Sequence, residues 1–312
     1  MRALIVTNMY PSRAHPARGS FVRDQVRALR QIEGLELELF TFEPGGARPY
    51  VNATANLRRR YRREGFDVVH SHFGLTAWPA FAVPAHSHAV TLHGNDLVHP
   101  RSRAITLAAL RFVDLPAVVS TQFADRVPGW AVRRQPAVLP CGVDLERFRP
   151  LPRDESRRAL GLDPHGRYLL FPHNPSRPVK RYDQARAIAG ETPLLTLGQV
   201  APEQVPLWVN AANAVLVPSE WESLGLAVLE ALACNVPVLA TPTGVAPEVL
   251  RDLPGALCSP FELSGWRAAL APHLEAEDPR IDGRDRAEPL SATRTAARVF
   301  DAWRALLAAK HT

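Results

Sequence analysis

The feature that most constrains this chain is a regular alternation along its whole length. Short runs rich in β-branched and other apolar residues, bounded by turn formers, are separated by longer segments with helical periodicity. The runs lie at residues 3–7, 36–42, 68–70, 89–92 and 117–120, then 168–171, 194–197, 214–217 and 236–240. Amphipathic segments such as 21–30, 183–189 and 224–234 stand between them. Parallel strands need crossover connections, and helical crossovers cover both faces of the sheet. The expected fold class is therefore α/β and doubly wound. Open sheets of this kind bind ligands beyond the carboxyl ends of their strands, so the residues just after each run are the ones to read for function.

A chain of 312 residues, 46% of them hydrophobic, can fill two cores. The best boundary is Phe148-Arg149-Pro150-Leu151-Pro152, where prolines bracket the step between two strand–helix series. Residues 1–150 then form one domain and residues 151–290 a second. A last amphipathic segment, 291–312, is expected to pack back on the first domain. The second half is compact, with Leu197-Gly198-Gln199-Val200 running quickly into a helix at 202–211, so it is expected to lack a strand or helix.

Charge is unevenly spread. The net charge is +6, but residues 1–150 carry 20 arginines against 12 acids, and only Lys180 and Lys310 are lysines. A basic half suits anionic lipid, a phosphorylated acceptor or nucleic acid, and charge alone does not choose. Without interleaved aromatics or a reader motif, nucleic acid is not an expected partner. The densest basic run is Arg58, Arg59, Arg60, Arg62 and Arg63, which reads as a solvated helix face or a docking site for an anionic membrane. No apolar stretch reaches membrane-span length and no signal-peptide pattern opens the chain, so a cytoplasmic protein, peripheral at most on the inner face of the membrane, is expected. Cys141, Cys234 and Cys258 are scattered, which argues for buried thiols rather than disulfides or a zinc site.

Two strand ends in the second half carry chemistry. After residues 214–217 comes Pro218-Ser219-Glu220-Trp221-Glu222-Ser223-Leu224-Gly225-Leu226, leading into an apolar helix that contains Glu230. Gly225 leaves backbone N–H groups open near a helix start, a natural anion site. Eight helical residues from Glu222 to Glu230 would span about 12 Å, the reach of a nucleotide sugar from hexose to ribose. Taken singly, Glu222 is also what a first-turn acid favoured by the helix dipole looks like, and Glu230 a core carboxylate paired with arginine. After residues 168–171 comes Pro172-His173-Asn174-Pro175-Ser176-Arg177-Pro178-Val179-Lys180-Arg181, whose cations suit a phosphate leaving group.

In the first half, Gly19 lies in the loop between the first run and the first helix, without a G-x-G-x-x-G fingerprint. Thr91-Leu92-His93-Gly94-Asn95-Asp96 puts a histidine at a strand's carboxyl end. His70 and His72 alternate onto one face, but no third ligand stands at metal spacing, so no metal site is expected.

Glu222 and Glu230, set between Pro218-Ser219 and the segment through Pro237 to Glu248, resemble the paired-glutamate signature of retaining glycosyltransferases of family 4, and the resemblance covers nearly the whole chain. It implies a GT-B fold, two Rossmann-like domains facing across a cleft, and transfer of a hexose from a UDP or GDP sugar to a hydroxyl acceptor such as a lipid-linked or cell-surface glycan precursor. It assigns Glu222 to the donor hexose with help from Ser223, Leu224, Gly225 and Leu226, Glu230 to the ribose and Lys180 to the diphosphate. His93 goes to donor positioning, Gly19 to the phosphates, and Asn95 and Asp96 to the acceptor side. The family's arginine falls at Asn174 or Pro175 here, so Arg177, or secondarily Arg181, is expected to replace it. No cofactor or metal is implied beyond the nucleotide-sugar co-substrate. The rival readings are a nucleotide-sugar epimerase of the same fold and a catalytically inactive partner or sugar-binding protein; a phosphorylase is disfavoured by chain length.

Overall fold

The computed structural model describes residues 1–198 and 200–310. They divide into two compact units, Met1–Gly142 together with the chain from Ala292 onward, and Val143–Ser291. The chain leaves the first unit upstream of the Pro150–Pro152 bracket.

In the first unit β1 (Arg2–Thr7), β2 (Glu36–Thr41), β3 (Phe66–His72), β4 (Ala85–Leu92), β5 (Leu115–Val118) and β6 (Ala137–Val138) form one sheet. Its order is β2-β1-β3-β4-β5-β6, with every neighbouring pair parallel. Residues Ala3 to Val6 of β1 are wholly buried, as expected of a strand covered by helices on both faces. The helix Ser20–Leu29 packs on one face, and the C-terminal helix Ala292–Ala308 adds Val299, Trp303 and Leu306 to the same core. Because β2 and β3 lie on opposite sides of β1, the loops leaving β1 and β3 diverge at a topological switch point.

The second unit contains β7 (Leu169–Phe171), β8 (Leu194–Thr196), β9 (Ala214–Val217), β10 (Val238–Ala240) and β11 (Leu257–Cys258), ordered β11-β10-β9-β7-β8 and parallel throughout. Here the switch point falls between β7 and β9, so the loops after those two strands open side by side. A backbone bond from Glu220 N–H to the Val179 carbonyl, 2.9 Å, joins them.

Three local expectations change. The two-residue strands β6 and β11 were not anticipated, because two paired residues carry no periodicity. The segment 275–288, which shows no strand or helix pattern in sequence, holds Arg280 and Arg284, whose guanidinium groups donate to the Leu151 carbonyl and to the Leu145 and Phe148 carbonyls, each at 2.8 Å. They fasten the linker residues to the second unit. The helix expected from Leu224 begins at Leu226, because Gly225 sits at φ +92°, in the left-handed region.

Candidate active site

The site in the second unit is built at its switch point. The loop after β7 carries His173 and Lys180, and the loop after β9 carries Ser219 and Glu222. Lys180 Nζ lies 2.5 Å from Glu222 Oε2, and the two side chains are only 6% and 9% exposed. Ser219 donates its hydroxyl to Glu222 Oε1 at 2.8 Å, and His173 Nε2 stands 3.4 Å from the same oxygen. The loop is fixed from behind by a tight turn: Val245 N–H donates to the Leu224 carbonyl at 2.7 Å, and Gly244, at φ +59°, lies so close that a Cβ there would fall 2.3 Å from that oxygen. Ser219 is itself anchored, its carbonyl accepting from Thr241 Oγ1 at 2.5 Å.

These contacts set the charges. Burial alone pushes the Glu222 carboxyl up, but the His173 contact and the Lys180 charge outweigh it and hold the group at about 2. Burial lowers Lys180 in spite of its carboxylate partner, and burial lowers His173 likewise. At neutral pH the cluster therefore holds a carboxylate, an ammonium and a neutral imidazole. A lysine ammonium has three donors, so one spent on Glu222 leaves two for an anionic ligand.

The other expected donor residues are placed differently. Ser223 and Leu226 are half-buried, Leu224 is buried with its carbonyl bound to Val245, and Gly225 leads the helix Leu226–Ala233. Glu230 lies half-buried inside that helix. The expected 12 Å helical spacing is corrected: only the steps from Leu226 to Glu230 are helical, about 6 Å of rise, and the rest is loop. Arg177 is exposed beside the short 3₁₀ turn Pro178–Lys180, and its charge is felt at Lys180 and His173. Arg181, in contrast, is committed to Asp183 at 2.6 Å and Glu220 at 3.0 Å. Asn174 spends its side-chain oxygen on the Ser176 N–H at 2.9 Å. His173 and Ser219 are members of this site that no motif in the sequence marks. The signal for His173 was available, since it follows β7 as His93 follows β4.

In the first unit Gly19, at φ +62°, leads the helix Ser20–Leu29, and a Cβ there would fall 2.0 Å from the Met9 carbonyl oxygen. The close approach that requires glycine is thus to its own loop. His93 is held from both sides, its Nε2 2.9 Å from His72 Nδ1 and its Nδ1 3.8 Å from Cys141 Sγ. Burial, then the neighbouring His72, keeps it well below the ordinary histidine range. His70 stacks on His72 with ring centroids 5.0 Å apart, and the Trp303 indole donates to His70 Nδ1 at 3.0 Å. An indole N–H can only donate, so His70 carries its proton on Nε2, facing Thr91 Oγ1 at 2.8 Å. Among the described residues no group of three or more His, Cys, Asp or Glu is placed to hold a metal ion. Asp96 is fully buried and accepts from the His93 N–H at 2.6 Å, and burial pushes its carboxyl up to about 7; Asn95 beside it is exposed. The arginines of the 58–63 run are exposed at the end of the helix Ala47–Tyr61 and just beyond it.

Comparison with known proteins agrees with this architecture. Residues 21–147 match the model of Glycosyltransferase Family 4, and residues 178–282 that of Glycosyl transferases group 1. A D-inositol 3-phosphate glycosyltransferase of Actinosynnema mirum is 32% identical over 308 residues, covering 78% of this chain and 73% of that protein. Among solved structures, sucrose-phosphate synthase from Thermosynechococcus elongatus superposes with a TM-score of 0.72 at 17% identity, covering 99% of this chain and 100% of that one. Anabaena HepE in complex with UDP and glucose gives 0.70 at 15% identity, covering 98% and 100%. The fold is GT-B and the chain is a glycosyltransferase. It belongs to glycosyltransferase family 4.

Proposed function

We propose that this glycosyltransferase moves a hexose from a UDP or GDP sugar to a hydroxyl acceptor with retention of anomeric configuration and without a resident metal. The observation that carries the reading is the buried Lys180–Glu222 pair at the switch point between β7 and β9, with Ser219 and His173 on the same carboxylate. A carboxylate held ionised in a dry loop is suited to accept hydrogen bonds from sugar hydroxyls, and the two spare donors of Lys180 suit a diphosphate oxygen.

In this mechanism the acceptor oxygen bonds the anomeric carbon on the face from which the diphosphate departs. The bond from that carbon to the diphosphate oxygen breaks, and the leaving diphosphate takes the acceptor proton. Lys180, Arg177 and the N-terminus of the helix Leu226–Ala233 stabilise the departing charge. Glu222, with the backbone of Ser223, Leu224 and Gly225 and the side of Leu226, orients the hexose, and Glu230 takes the ribose. Gly19 serves the donor phosphates. His93 supports the reacting sugar and acts as a neutral group, while Asn95 and Asp96 belong to the acceptor side. A phosphorylated or lipid-linked acceptor fits the basic first 150 residues, and the relative that acts on D-inositol 3-phosphate supports testing the former. Work at the cytoplasmic face of a membrane follows from a lipid-linked acceptor.

The test is turnover of UDP- and GDP-hexoses with D-inositol 3-phosphate and with lipid-linked glycans, in EDTA, reading the product's anomeric proton by NMR. The reading expects a retained configuration. Inversion, a strict need for divalent metal, or interconversion of donor sugars without acceptor would each replace it.

A further inference from the structure

The helix Pro100–Leu110 of the first unit is apolar on two faces. Leu107, Ala109 and Leu110 are buried, as a core-facing surface should be. Its outer side carries Ala104, Ile105 and Ala108, with Phe112 just beyond its end, and all four are exposed. From Ala104 onward the helix is apolar on its buried and its exposed side alike, and its charge is confined to Arg101 and Arg103 in the first turn. The apolar area does not stop at this helix. Trp78 donates its indole N–H to the Ile105 carbonyl at 3.2 Å, and its ring lies 6.4 Å from that of Phe112. Arg111 reaches the Trp130 carbonyl at 3.1 Å, which ties the short turn Gly129–Ala131 to the end of the helix. Trp130 is 66% exposed, Phe112 58%, Ile105 45% and Trp78 41%. Isolated exposed hydrophobics are ordinary; Trp78 and Phe112 in ring contact, with exposed Trp130 on a turn tied to the same helix end, mark an interaction surface.

The charge around this face selects the partner. From residue 98 to residue 135 the chain has six arginines, at 101, 103, 111, 126, 133 and 134, against Asp114 and Asp125. Asp114 is already held by Lys310 at 2.9 Å and by the His88 N–H at 2.9 Å. Exposed tryptophan and phenylalanine set among arginines, with little carboxylate to balance them, complement a lipid headgroup layer that is both negative and apolar underneath. The arginine run at the end of the helix Ala47–Tyr61 has charge without such an apolar partner, Val51 being its one strongly exposed large hydrophobic among the described residues.

We propose that the face formed by Trp78, Ile105, Phe112 and Trp130 docks this enzyme on an anionic bilayer, with the surrounding arginines on the headgroups. The inference stands on this surface alone and does not depend on the donor chemistry.

Co-sedimentation of the full chain with phosphatidylcholine vesicles, with and without phosphatidylglycerol, tests it. The expected result is binding to the anionic vesicles only, weakened by salt, with a blue shift in emission that shrinks in Trp130→Phe. The triple variant Trp78→Ser, Phe112→Ser, Trp130→Ser should bind at least about tenfold more weakly, and Arg101→Gln with Arg133→Gln and Arg134→Gln about a hundredfold more weakly, since each arginine near the surface contributes about 1 kcal/mol. The variant with Arg58, Arg59, Arg62 and Arg63 changed to Gln should keep most of the affinity. If the triple variant fails to fold by circular dichroism, Phe112→Ser and Trp130→Ser singly carry the same comparison. Equal binding to neutral vesicles, undiminished binding by the aromatic variants, or a self-associated dimer that those variants dissociate while vesicles bind nothing would overturn the proposal.

Discussion

Lys180 and Glu222 meet at 2.5 Å although they come from separate loops, one after β7 and one after β9. Neither loop has a reason of its own to bury a charge, so each makes the other tolerable. Removing one partner leaves the other charged in a site that excludes water, which typically costs about 3–5 kcal/mol. Glu222→Gln should therefore lower the melting temperature as well as activity. The double variant Glu222→Gln, Lys180→Met should regain part of the stability and none of the activity. Thermal melts and turnover measured on the same preparations check this, and strict additivity of the two stability losses would show that the pair is not coupled.

The pH dependence follows from the same pair. Glu222 is held at about 2 in the fold, below its ordinary value of 4.5, so its contribution to stability is complete above about 4.5 and is lost as pH falls toward 2. Lys180 is lowered by burial, so its charge is lost at a lower pH than that of an ordinary lysine. The alkaline limb of the pH–activity profile should thus begin below 10.5. Lys180→Arg, if it folds, should shift that limb upward, because guanidinium stays protonated throughout. An alkaline limb identical in Lys180→Arg would assign it to another group.

Asp96 behaves in the opposite sense. Burial raises its carboxyl to about 7 from 3.8, so the folded state binds this proton more tightly than the unfolded chain. The resulting stability is complete below about 3.8 and is lost as pH rises through 7. Asp96→Asn, which keeps an oxygen for the His93 N–H, should flatten that part of the stability–pH curve. Denaturant melts between pH 4 and 8 read this directly.

The two glycines that shape the loop after β9 should respond differently. At Gly244 a Cβ would strike the fixed Leu224 carbonyl at 2.3 Å, whereas at Gly225 the nearest atom is Glu222 Cγ at 3.7 Å. Gly225→Ala then costs only its left-handed backbone, about 1 kcal/mol. Gly244→Ala adds a backbone clash, so it should cost about 2–3 kcal/mol or more and raise the donor KM. Melting curves and donor KM values for the two variants make the comparison.

Much of this was legible in the sequence because parallel α/β architecture is written in periodicity, which the runs 3–7 and 36–42, now β1 and β2, display at nearly full length. The strands β6 and β11 were invisible for the converse reason: two residues are too few to alternate. Lys180 and Glu222 could be named from strand-end position and from the family resemblance. Their direct pairing could not, since it depends on which strands are neighbours, and β9 lies beside β7 only because the sheet order reverses there. Arg177 and Arg181 look equivalent in sequence. What separates them is that Arg181 is already committed to Asp183 and Glu220. The outer face of the helix Pro100–Leu110 is not legible in sequence because Ala104, Ile105 and Ala108 are interleaved with the buried Leu107, Ala109 and Leu110 and no period separates the two sets.

If Lys180 and Glu222 together hold a nucleoside diphosphate sugar in the second unit, binding of that donor should need both side chains. Calorimetric titration of the intact chain with UDP- and GDP-hexoses in EDTA, repeated with Glu222→Gln and Lys180→Met variants confirmed to be folded, addresses it most directly. The wild type should show one site per chain, and each variant a loss of at least about tenfold in affinity, or about 1.4 kcal/mol. Unchanged affinity in both folded variants would contradict it.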